Sequence, residues 1–121
     1  MRTFERATSE SSPVGVVDVV RWEQFGLDTT LPFHAMWYTV PPASSSPRDQ
    51  HPEYELSLVL TGDADVETGG RHTAVPQGGA FLLDSGEAHV VHNRSQEMPL
   101  TIFSAYWHPL PGTDPTAGEA Q

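Results

Sequence analysis

The chain has 121 residues, enough for one compact domain with a buried core, and no cysteine, which excludes a disulfide framework and any thiolate metal site. Sixteen acidic residues against six basic ones give a formal net charge of −10, with no lysine and no cluster of arginines, so no nucleic-acid partner is expected. No apolar run reaches the length of a membrane span, and "MRTFERATSESS" lacks the apolar stretch of a signal peptide; the expectation is a cytoplasmic protein with no membrane partner.

In chain order, residues 1–13, with "TSESSP", are rich in groups that gain little from burial and read as a flexible N-terminal tail. Residues 14–108 then carry short apolar or alternating runs: "VGVVDVV", "PFHAMWYTV", "YELSLVLTG", "ADVET", "RHTAV", "GAFLLD", "AHVVHN" and "PLTIFSAYW". Their lengths suit strands. Only "VVRWEQFGL" has room for a helical turn or two. The separators at 61–63, 68–70, 76–79 and 84–87 supply glycine where a hairpin needs positive φ. "PPASSSPRDQHP" is the one long internal loop, and residues 109–121 read as a flexible C-terminal tail. About eight short antiparallel strands without helical periodicity predict an all-β sandwich or small barrel.

Polar clusters open two of these strands. In an extended chain Asp49, His51, Glu53 and Glu55 share one face. A straight strand would hold His51 and Glu55 about 13 Å apart, whereas ligands of one metal lie within a few ångströms of each other. A shared ion therefore demands a bend between 51 and 55, for which Pro52 is the candidate cause. The competing reading is a set of solvated charges leading into a strand. In the second cluster His89 follows a glycine turn, His92 points to the opposite strand face, and Asn93 is placed to satisfy backbone groups at the strand end. Glu53 is the candidate catalytic acid or base, and His34, His72 and His108 read as surface or rim residues. Trp37–Tyr38 and Tyr106–Trp107 are adjacent pairs, so one of each faces inward; with Met36 and Phe103 they serve either sheet packing or an apolar substrate pocket above the metal. "LSLVL" is apolar at both parities and calls for a second cover, which a homodimer would supply.

The spacing of the two clusters resembles the two motifs of the cupin superfamily. Asp49-Gln50-His51, three residues, Glu55, six residues and Gly62 follow the first, with Asp49 where the family has a histidine. Gly78, five residues, Asp84-Ser85-Gly86, two residues, His89, three residues and Asn93 follow the second, with Asp84 in a proline position. The resemblance spans roughly residues 30–107 and implies a double-stranded β-helix, the RmlC-like jelly-roll barrel. It also implies that His51, Glu55 and His89, with Asp49, correspond to ligands of a divalent ion: iron, zinc, manganese or nickel. Asp49 leaves three outcomes open: two His with two carboxylates, two His with one carboxylate and free positions, or a decayed site. The implied function is a small stand-alone metal-dependent enzyme, an isomerase, cyclase or oxygenase, acting on a small organic molecule, including steps of specialised metabolite biosynthesis. The alternative is a non-catalytic ligand-binding or sensor barrel with a degenerate site.

Overall fold

Alternating burial turns the apolar runs into strands. In "YELSLVLT" the side chains of Glu55, Ser57 and Val59 are buried, while Leu56, Leu58 and Leu60 stand outward. The computed structural model describes residues 1–112 and contains nine strands among them, against about eight expected. They are β1 (Ser12–Val14), β2 (Val17–Arg21), β3 (His34–Val40), β4 (Tyr54–Thr61), β5 (Ala64–Thr68), β6 (Arg71–Val75), β7 (Ala80–Leu83), β8 (His89–His92) and β9 (Leu100–Trp107). "WEQF", Trp22–Phe25, forms the expected short helical turn, of 3-10 type.

Two sheets result, one in the order β1-β2-β3-β9-β4-β7 and one in the order β6-β5-β8, with every pairing antiparallel. Their facing surfaces enclose Val19, Tyr38, Val40, Val59, Val66, Leu83, Val91, Leu100 and Ile102. This is the all-β, two-sheet architecture expected of a jelly roll. Among the described residues no helix is long and apolar enough to cross a membrane.

Two segments do more than their composition announces. Within residues 1–13, Ser12 and Pro13 already pair with Val19 and Asp18. Phe4 stacks on Phe25 with centroids 4.5 Å apart, beside Trp22. Of the C-terminal segment, 109–112 is irregular, and 113–121 lies outside the described residues.

The long loop is in fact docked along β8. Asn93 N–H donates to Ser44 O (2.8 Å), Ser46 N–H to Val91 O (2.8 Å) and Asp49 N–H to His89 O (3.0 Å), with His89 N–H returning to Asp49 O (2.9 Å). The register slips by one residue between the Ser46–Val91 and Asp49–His89 contacts, where Pro47 has no N–H to donate. Its prolines and serines hid this pairing, because both are ordinarily loop signals.

Gly62 ends β4 at φ +86°, and a Cβ there would lie 2.8 Å from the carbonyl oxygen of Pro99. Gly62→Ala is expected to lower unfolding free energy by about 1–3 kcal/mol, read as an earlier denaturant midpoint at unchanged slope.

Candidate metal centre

The 49–89 pairing brings the two polar clusters together. Asp49 and His89 sit opposite each other on neighbouring strands, and the chain then bends at Pro52 and Glu53 before β4 begins. That bend is the one demanded by the ligand spacing. It returns Glu55 to His51, with Oε1 3.2 Å from Nε2, where a straight strand would have kept them far apart. The rings of His51 and His89 meet edge to face at 5.2 Å between centroids.

Both imidazoles are oriented by the same device. His51 Nδ1 lies 3.1 Å from the carbonyl oxygen of Glu53, and His89 Nδ1 lies 3.0 Å from that of Glu87. A carbonyl only accepts, so each Nδ1 carries the proton and each ring is left to bind through Nε2. Metal-binding histidines are commonly fixed in this way. Ligand atoms of Asp49, His51 and His89 all lie within 4.8 Å of one another, His89 being buried and Asp49 exposed. Asp49, the departure from the family's motif, is thus drawn into the group by its backbone pairing with His89.

Glu55 joins from the His51 side. It is 5 % exposed, and its Oε2 accepts from Ser57 Oγ (3.3 Å) and Ser104 Oγ (3.1 Å), while the two hydroxyls lie 2.7 Å apart. Ser57 and Ser104 are cross-strand partners on β4 and β9, completely buried between the Glu55 and Val59 levels of the sheet. They satisfy a carboxylate that would be costly to bury alone. Sequence reading missed both; their only signal is a serine on the buried parity of an apolar strand. Burial first, and the Glu55 charge second, push the Tyr38 phenol well above its ordinary value, against the Ser104 and Ser57 hydroxyls.

The cluster opens into a cavity of about 410 Å³. Val17, Val19, Met36, Tyr38 and Val91 form its apolar part, and Arg21, Arg48, Glu53 and Tyr106 add polar groups. Glu53 is therefore at the cavity, though its carbonyl, not its carboxylate, makes the contact to His51.

The proposed aromatic pocket needs correction. Met36, Tyr38 and Tyr106 line the cavity, but Trp37, Phe103 and Trp107 do not. Strand parity turns these three to the outer face of the large sheet. There Trp37 and Phe103 pack on Trp22, at 5.0 and 5.3 Å between centroids, and Trp107 stacks on Tyr54. Asn93 donates through Nδ2 to the carbonyls of Val40, Pro41 and Met98 and accepts from Ser95 N–H, tying down the strand end as its position implied. His34 is a rim residue that contacts Glu23 and stacks on Tyr106. His92 faces away from the centre, toward Glu67 and Ser45.

A family model for the cupin domain matches residues 36–106. Among solved structures, the chain is similar to a predicted oxalate decarboxylase from Thermotoga maritima, with 18 % identity, a TM-score of 0.74, and coverage of 89 % of this chain and all of that one. A Cupin 2 conserved barrel domain protein from Salinispora arenicola shares 23 % identity at a TM-score of 0.69, covering 99 % and 92 % of the two chains. An RmlC-like cupin from Shewanella frigidimarina shares 12 % at 0.68, covering 93 % and 94 %. Comparison with curated proteins finds no match. At these identities the structural likenesses carry the fold alone.

Tyr106 offers a spectroscopic handle on the cavity rim. Burial, then the charge of Glu23 and the bond its hydroxyl donates to Glu23 Oε1 (3.1 Å), raise its phenol to about 12, against the pull of Arg21. The folded value lies above the ordinary 10.0, so the protonated phenol stabilises fully below pH 10 and that contribution is lost as pH climbs toward 12. In ultraviolet titration, the difference between wild type and Tyr106→Phe is expected to isolate one phenol ionising near 12. Glu23→Gln is expected to bring it back toward 10.0.

Proposed function

The chain belongs to the cupin family, and we propose that it is a metal-dependent enzyme in which Asp49, His51 and His89, with Glu55 beside His51, hold a divalent ion at the base of the cavity. The observation that carries this reading is the pair of imidazoles, each with Nδ1 committed to a carbonyl, converging with the Asp49 carboxylate within 4.8 Å, with His51 Nε2 also facing the Glu55 carboxylate. Nitrogen and carboxylate donors without thiolate suit iron, zinc, manganese or nickel. Such an ion, when bound, acts as a Lewis acid toward a substrate oxygen.

The residues around it perform the rest. The cavity is of the size that takes a small organic molecule. Val17, Val19, Met36 and Val91 hold apolar parts of that molecule away from water. Arg21 and Arg48 are two of only six basic residues in the chain, and both line the cavity, which favours a substrate carrying a carboxylate or similar anion. Glu53 is the acid or base at the mouth. The reaction classes in view are isomerisation, cyclisation and oxygenation, including tailoring of specialised metabolites.

A second reading, a metal-free ligand carrier or sensor, draws on Glu55. Its carboxylate already has Ser57, Ser104 and His51 as partners and has no outstanding need for an ion.

We also propose a homodimer. Leu56, Leu58, Leu60 and Leu82 are exposed on the outer face of β4 and β7, and Tyr54, Phe103, Ala105 and Trp107 continue that face without a charged side chain. Two copies with a net charge of −10 each can meet there without apposing acidic groups.

Elemental analysis of protein purified without chelator tests the first proposal. Near-stoichiometric metal in wild type, with affinity reduced at least about tenfold in His89→Ala, is expected. Wild type that is empty and refuses added divalent ions would establish the carrier. For the dimer, sedimentation is expected to give twice the chain mass in wild type and a monomer in Leu58→Glu; a monomeric wild type would refute it.

A further inference from the structure

We propose that Glu67, His72 and His92 form a second divalent-cation site, of zinc or copper type, on the outer face of the three-stranded sheet.

Strand parity builds it. On β5, Ala64 and Val66 enter the core, so Asp65 and Glu67 stand outward. Glu67 is directly opposite His72 of β6, and Asp65 is directly opposite His92 of β8. The central strand thus sets two carboxylates between two imidazoles. One ligand atom from each of Glu67, His72 and His92 lies within 4.8 Å of the other two. His92 Nε2 is 2.8 Å from Glu67 Oε1, and His72 Nε2 is 3.8 Å from the same oxygen.

The outer contacts give the cluster its direction. His72 Nδ1 lies 3.1 Å from Asp65 Oδ2. A carboxylate only accepts, so that nitrogen carries the proton, and Nε2 is the ring atom that faces Glu67. At 3.8 Å the two are too far apart for a hydrogen bond, and a cation between them satisfies both. This is the carboxylate–histidine–metal arrangement. His92 has a matching partner in Ser45, whose Oγ contacts Nδ1, while Nε2 meets Glu67 Oε1 in a contact that the cation would replace. Arg94 Nε donates to the same Oδ2 of Asp65 (2.9 Å) and helps to fix it.

The site is separate from the one in the cavity, because β8 sends His89 inward and His92 outward. None of Glu67, His72 and His92 lines that cavity. Two imidazoles and one carboxylate suit zinc, copper or nickel and leave a position for water.

The test is calorimetric titration with Zn²⁺ alone, on chelator-treated full-length protein without a polyhistidine tag. His72 is half exposed on a short strand, so His72→Ala keeps the fold, as circular dichroism would verify. Wild type is expected to bind one Zn²⁺ equivalent more than His72→Ala, whatever the cavity site takes up. That equivalent is expected to survive His89→Ala, or His51→Ala should the former fail to fold, and to weaken roughly tenfold in Asp65→Asn. The same stoichiometry and affinity in wild type and His72→Ala would overturn the proposal, as would loss of all Zn²⁺ binding in a folded cavity variant.

Discussion

The reciprocal backbone hydrogen bonds between Asp49 and His89 are the constraint on which the rest of the centre depends. Neither cluster forms a site alone. The first is a polar lead-in to β4, and the second is a histidine after a glycine turn. Pairing residues 44–49 with β8 places them side by side and fixes their register to a single residue. It also leaves the next residues free to bend, so that His51 faces His89 and Glu55 swings back beneath it. The donor set is a consequence of strand pairing, and side-chain reach alone would not assemble it.

Burial then decides how the charged groups are held. Glu55 is buried in the sheet between Leu83 and Tyr106, and two serines make that tolerable by donating to it. Asp49 is at the water-exposed side of the same group and has Gln50 N–H on one oxygen. The two carboxylates therefore differ in kind. One is locked and screened from solvent, and the other is adjustable at the rim.

Much of this was legible in the residues. Short alternating runs and glycine turns gave the two-sheet barrel, and the spacing from Asp49 to Gly62 and from Gly78 to Asn93 located both halves of the centre. The bend near Pro52 followed from ligand distance alone. Parity told that one of each aromatic pair would face inward, yet it said neither which one nor what would cover the outward ones. Trp22 packs against Trp37 and Phe103, Phe25 against Trp37, and Phe4 stacks on Phe25 behind them, and no local pattern encodes these contacts. The docked loop escaped for a related reason: its hydrogen bonds belong to β8, and its own proline and serine content argues for irregular chain. Ser57 and Ser104 look like small residues in a core until the buried carboxylate between them is known.

One detail of the barrel's mouth separates shape from chemistry. β1 is an edge strand of three residues, exposed throughout, and it contributes Val14 to the cavity wall. Its turn rests on the docked loop at Gly15, where φ is +61° and an added Cβ would lie 2.8 Å from Pro47 Cγ. The candidate ligands Asp49, His89 and Glu55, by contrast, are anchored by backbone bonds on β8 and by buried serines on β4 and β9. Substitutions in this small awning therefore bear on the shape of the entrance and leave the backbone bonds and serines that hold the inner carboxylate and imidazoles in place.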